Sequence, residues 1–287
     1  MNGAPLISRE GTTLSAIRGV AGLVVVALFV LVAILAPLIT SHDPVVQNLP
    51  DRRAPPSWLE GGSVSHPLGT DHLGRDVWSR LVYGARTSLI VALGALAIGG
   101  VLGTALGFIS GYWRGSRDKI FDTTLPRLIS PVVWLVCCAW VALWLLVYIG
   151  PALINLIIVM GLVTWPRYIK PIRREVMLHT PQNSIAGASD PGNSVRFLFP
   201  KVAGALPTLF ISQMGFLIIL ESILSFLGIG VSPPTPSWGI AVADGRGYLA
   251  EWWISAFPLI CIALLSAGFY MLGSWLTNRR KNSRAAP

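Results

Sequence analysis

His66, Asp71, His72 and Asp76 stand within one short stretch, HPLGTDHLGRD. Two imidazoles beside two carboxylates are donor types that hold a transition metal. Their spacing matches no recurring ligand pattern, and all four are residue types at home in turns, so the stretch reads as a structural loop with no metal. Glu221 is the second candidate, a carboxylate inside a long apolar run. Near the middle of a spanning helix it costs roughly 2.5–3.5 kcal/mol on insertion scales, so it is expected to face protein or water. Helix–helix packing is the favoured role, ahead of substrate contact. No G-x-x-x-x-G-K-[ST] phosphate loop, G-x-S-x-G or H-E-x-x-H motif occurs. An enzyme acting on lipid or glycan would need convergent acids and bases at one membrane depth, where Glu221 stands alone. The chain is therefore expected not to be an enzyme.

The elements that must position these residues follow from composition. The chain is 53% hydrophobic and only 12% charged, against roughly 25% charged in soluble domains. That balance indicates an all-α polytopic membrane protein. A span needs about 20 mostly apolar residues. Six segments qualify: 19–40, about 88–110, 125–150, 151–172, 202–228 and 252–276. The fourth is the weakest, because Pro166, Arg167 and Lys170 crowd its end. The first is too long for a signal-peptide core and is read as a retained helix. Internal repeats of the kind secondary transporters carry are not evident. Cys137, Cys138 and Cys261 all lie in apolar runs, where cysteine packs as a small hydrophobe.

With both termini in the cytoplasm, sixteen Lys and Arg residues lie inside and six outside, as the positive-inside rule requires. The net charge of +9 is thereby explained without nucleic acid. The resulting plan has a cytoplasmic tail at 1–18, a first helix at 19–41 and an outer loop at 42–87. A five-helix core at 88–276 follows, carrying an inner loop at 164–201, and the chain ends in a tail at 277–287.

Within the outer loop, Val77, Trp78, Leu81 and Val82 share one helical face, which predicts an interfacial helix from Asp76. Gly84 is expected to stop it, and Thr87 or Ser88 to cap the next. In the inner loop, Thr180 before Pro181 reads as a helix start, and DPGN at 190–193 reads as a turn before a second short helix. From the residues alone, a solvated basic connector is the favoured reading of this loop, ahead of a docking element. In LSFLGIGVSPPTPSWG, residues 224–231 read as the end of the fifth helix and the prolines as its stop. Trp238 is expected at the outer interface.

The stretch from Pro67 to Leu89 closely resembles the PLGTDxxGRDxxSRLxxGxRxSL signature of C-type permease subunits of dipeptide and oligopeptide ABC importers, and SFLGIGVSPPTPSWG resembles a second signature of that family. The resemblance implies a type I importer permease with about six transmembrane helices in the bacterial cytoplasmic membrane. It implies a homologous second permease, two ATPase subunits that bind ATP and Mg, and an extracytoplasmic substrate-binding protein; this chain would bind no cofactor itself. Peptide is the implied substrate class, with nickel chelates, glutathione or haem as alternatives. Gly69, Thr70, Asp71, Gly74, Arg75, Asp76 and Trp238 would form the extracytoplasmic signature. The ATPase-coupling loop would comprise Thr180, Ile185, Ala186, Gly187, Ala188, Ser189, Asp190, Val195 and Phe197. The family's Glu-Ala-Ala segment reads here as roughly Pro181-Gln182-Asn183, without the acidic residue.

Overall fold

The structure is a computed structural model that describes residues 6–112, 153–179, 196, 198–200 and 202–285. The described residues are helical apart from loops and one isolated bridge between Thr70 and Asp76. Among the described residues the α-helices are α1 (Leu6–Ile34), α2 (Ala36–Ile39), α3 (Val77–Tyr112), α4 (Leu153–Thr164), α5 (Pro166–His179), α6 (Leu206–Phe226), α7 (Trp238–Gly245) and α8 (Trp253–Ala285), with a 3-10 turn at Leu49–Asp51. Segments in α1, α3, α6 and α8 are each long and apolar enough to cross a membrane. The α4–α5 pair, bent by 45°, makes a fifth if it is one span. The expected third segment, 125–150, lies outside the described residues.

Two compact units are present, Met1–Ala92 with Ile211–Pro287, and Leu93–Phe210. In the first, small residues bring helices together. Gly19 of α1 faces Trp275 of α8, and Gly268 of α8 faces Val25 and Val26 of α1. These pairings run antiparallel, so Arg18 and the Arg279 that lies over Trp275 sit at the same end. On α6, Gly215 packs against Ser266, and Ser212 meets Gly273 of α8.

The second unit is built on a glycine stripe. Gly99, Gly103, Gly107 and Gly111 recur every four residues along one face of α3. They meet Thr164, Trp165 and Tyr168, then Ile172, then Val176. Both partners advance together, so α4 and α5 run parallel to α3. Pro166 lacks an N–H and marks the bend between them. Beyond it the chain was read as a polar loop, yet it stays helical to His179. The reason is amphipathicity: Tyr168, Ile169, Ile172 and Val176 are buried.

Other boundaries differ from expectation. The first long helix ends at Ile34, and Pro37 falls in the separate short helix α2. Helix α3 runs unbroken through Gly84, so no separate interfacial helix forms. Gly84 is a close-approach residue rather than a stop: a Cβ there would stand 2.6 Å from the Trp238 ring. Thr87 caps nothing; its Oγ1 donates to the Tyr83 carbonyl within the same helix. Helix α6 ends at Phe226, before residue 231. Gly228 adopts φ +80°, its N–H donates to the Ser225 carbonyl at 3.1 Å, and the Ile229 N–H donates to the Leu224 carbonyl at 2.9 Å. That pair of bonds is a Schellman cap. Helix α8 outruns its expected end and takes most of the proposed C-terminal tail into the helix.

Candidate functional site

The signature residues fold into a tight loop that opens α3, on the side away from the basic helix ends. Gly69 and Gly74 have φ of +79° and +75°, a region glycine enters without penalty. A Cβ on Gly74 would stand 1.8 Å from the Asn48 carbonyl oxygen. Thr70, fully buried, donates from Oγ1 to the Asp51 carbonyl and accepts from the Ala54 N–H at 2.8 Å. Its carbonyl accepts from Trp253 Nε1 at 3.1 Å, which ties the loop to the start of α8. Asp76 caps α3: one carboxylate oxygen accepts from the Ser79 N–H and hydroxyl at 2.8 and 2.7 Å. Its other oxygen lies 3.0 Å from His66 Nδ1.

Four buried or nearly buried charges meet beside this turn. Asp71 Oδ1 accepts from the N–H groups of Leu73 and Arg75 at 2.8 and 3.0 Å. Asp71 Oδ2 receives Arg75 Nε at 2.6 Å and also pairs with Arg80. Both guanidiniums reach on to Asp244 at the end of α7, at 3.0 and 3.1 Å. Two anions thus balance two cations, with the remaining acceptors filled by backbone donors, the condition under which buried ion pairs are tolerated. Burial alone would raise the Asp71 pKa; Arg80, Arg75 and the two backbone N–H groups outweigh it and hold the carboxyl below its ordinary value.

Trp238, placed at the interface by its sequence context, is fully buried instead. Its Nε1 donates to the Leu81 carbonyl at 2.9 Å, its ring fills the space left by Gly84, and Phe29 of α1 packs on it edge-on at 5.7 Å. Ser237 caps α7 through the Ile240 N–H at 3.3 Å, which fixes the Trp238 backbone.

Glu221 is also fully buried. It accepts from Ser88 Oγ of α3 and Ser225 Oγ at 2.8 Å each, and from Ser222 Oγ at 3.3 Å. Ser225 Oγ in turn accepts from the Val231 N–H at 3.2 Å. The carboxylate therefore joins α6, α3 and the turn after α6.

Among the described residues, two groups bring possible metal-ligand atoms together: His42, His66 and Asp76, and Asp71, His72 and Asp244. In the first, Asp76 is committed to capping α3, whose N-terminal dipole end disfavours a cation. In the second, both carboxylates are held by guanidiniums. These arrangements hold structure, and His42 of the first group also lines an open pocket with Asp43, Tyr83 and Pro236. Asp244 was missed from sequence because nothing in the local pattern links it to Arg75 and Arg80. Thr180, Ile185, Ala186, Gly187, Ala188, Ser189, Asp190, Val195 and Phe197 lie outside the described residues.

Residues 18–56 match a family model described as the N-terminal transmembrane domain of oligopeptide transport permease C. Over 261 residues the chain is 32% identical to the di/tripeptide transport system permease protein DppC of Pseudomonas aeruginosa, covering 89% of this chain and 84% of that protein. It is 34% identical over 265 residues to the dipeptide transport system permease protein DppC of Escherichia coli, covering 90% and 86%. It is 31% identical over 280 residues to a probable D,D-dipeptide transport system permease protein, DdpC, of Escherichia coli, covering 95% and 89%.

Proposed function

The chain belongs to the DppC/OppC-like family of peptide-transport permeases, and from that premise we propose that it forms one membrane half of an ATP-driven importer for dipeptides and short oligopeptides. The observation that carries this reading is similarity across about nine-tenths of the chain to permeases named for dipeptide transport. The complex resides in the bacterial cytoplasmic membrane with both termini of this chain inside. A homologous permease supplies the other half of the pathway. Two ATPase subunits bind ATP and Mg, and an extracytoplasmic binding protein delivers substrate.

The work of this chain is conformational. Closure of the ATPases acts through the inner loop 164–201, and the helices rearrange around the pathway. At the outer end, Asp71, Arg75, Arg80 and Asp244 bind α3 to α7, and Trp253 binds the first outer loop to α8. These links make the outer ends of α3, α7 and α8 one cap, which a motion passed along the helices would displace as a unit.

Uptake of a labelled dipeptide into membrane vesicles tests the assignment, with the chain co-expressed beside a partner permease, two ATPases and a binding protein from the same organism. ATP-dependent accumulation that needs this chain is expected. Accumulation of a nickel chelate, glutathione or haem in place of peptide would overturn the substrate class and leave the permease role intact. No ATP-dependent uptake of any of them would overturn the transport reading.

A further inference from the structure

Residues 54–65 of the outer loop read APPSWLEGGSVS, with Glu60 as the one ionisable side chain. Their tip is apolar, exposed and closed by main-chain hydrogen bonds. Trp58 is 57% exposed and Leu59 38%. The tip consists of two successive turns, closed by the Leu59 N–H donating to the Pro56 carbonyl and the Gly62 N–H donating to the Leu59 carbonyl, each at 2.9 Å. The Ser57 N–H donates to the Pro67 carbonyl at 3.1 Å and pins the tip to the signature loop. Gly62 is required there, since a Cβ would stand 2.2 Å from the Pro56 carbonyl oxygen. Exposing a tryptophan on a preorganised turn costs apolar hydration in water and gains free energy at an amphipathic boundary.

The height of this tip follows from its neighbour. The Trp58 ring meets Phe257 of α8 edge-on, with centroids 6.2 Å apart, and Trp252 packs on the same phenyl ring at 5.7 Å. The apolar span of α8 begins at Trp253. Phe257 lies one turn into it, about 6 Å along the axis at about 1.5 Å per residue. Interfacial segments bury their apolar faces by about 5–10 Å. The exposed surface continues along α8 through Leu259, Ile260 and Leu264, the surface of a spanning helix.

We propose that the Pro56–Gly62 tip is a membrane anchor: Trp58 and Leu59 rest in the outer headgroup–acyl boundary beside the start of α8, and the partner of this surface is the phospholipid bilayer. Trp58 presents its ring to the acyl boundary and its indole N–H to the headgroups. Through Pro67 and the Trp253–Thr70 bond, the anchor fixes the charged cap at a set distance from the bilayer. The inference depends on α8 spanning the membrane and is independent of what the complex carries.

The test is nitroxide accessibility in the full-length protein, reconstituted in phosphatidylethanolamine–phosphatidylglycerol nanodiscs. Cys137, Cys138 and Cys261 are first replaced by alanine. Leu59→Cys carries the reporter at the tip, and Ser57→Cys repeats the measurement on the same turn. Gly247→Cys, where a side chain meets open space, is the aqueous control. Collision with oxygen relative to a water-soluble nickel chelate should be severalfold higher at residue 59 than at residue 247. Equal chelate access at both sites would overturn the proposal by placing the tip in water. Low access to both reagents at residue 59 would overturn it in favour of a protein partner, a second copy of this chain included.

Discussion

Asp71 accepts from two guanidiniums and two backbone N–H groups, so its loss leaves Arg75 and Arg80 sharing Asp244 alone. Breaking a buried charge pair on one side costs about 3–5 kcal/mol. Asp71→Asn is expected to lower the thermal midpoint of the detergent-solubilised protein by that equivalent. The pH dependence has a definite sign. The folded Asp71 pKa lies below its unfolded value, so its contribution is complete above the ordinary carboxylate value of about 3.9. It is lost as pH falls through the depressed folded value. Stability curves of wild type and Asp71→Asn should therefore converge only in acid below that range; a constant gap down to pH 2 would contradict the ion-pair account. Glu221→Gln keeps one acceptor oxygen for three serine donors. A packing role predicts a loss of about 1–3 kcal/mol with transport retained; abolished uptake with unchanged stability would instead favour substrate contact. Part of this chemistry was legible. The glycines at 69 and 74 and the acid between them announce a turn, and a carboxylate in an oily helix announces a buried partner. The identity of each partner was not, because Ser88 and Asp244 become neighbours only through helix packing.

At the scale of elements, the helices themselves were readable from apolar runs, and the differences lie at their ends. Gly84 carries the same sequence signal whether it stops a helix or makes room for a ring. The choice is made by Trp238, far away in the chain, whose indole takes the space where a Cβ would stand. Trp238 was misread for the complementary reason: beside a helix exit, tryptophan suits an interface as well as a core. Gly84→Ala is expected to push the indole from α3, weaken the Leu81 bond and lower the thermal midpoint. Gly228 allows a cleaner measurement, since nothing lies within 4 Å of an added Cβ there. The cost of Gly228→Ala is then purely the left-handed backbone, about 1–2 kcal/mol by chemical denaturation. Gly228→Asn should cost less, because asparagine tolerates that conformation.

For the whole molecule, the membrane class and family were legible from hydropathy and two signature stretches; most of the inner loop lies outside the described residues. Replacing Gly187 together with residues 190–193, whose DPGN sequence reads as a turn, is expected to abolish co-purification of the ATPase subunits while the chain still inserts. Retained co-purification and uptake would remove 164–201 from the coupling path. The charged cap has a further consequence, for the order of assembly. Arg75 and Arg80 are synthesised with Asp71 but well before Asp244, so a growing chain presents two cations and one anion before the second anion exists. The missing anion arrives only with the short helix that precedes the last span. Closure of the cap is thus tied to delivery of the C-terminal segment, and a chain arrested before residue 244 is left with an unbalanced positive charge where the finished protein has a neutral cluster.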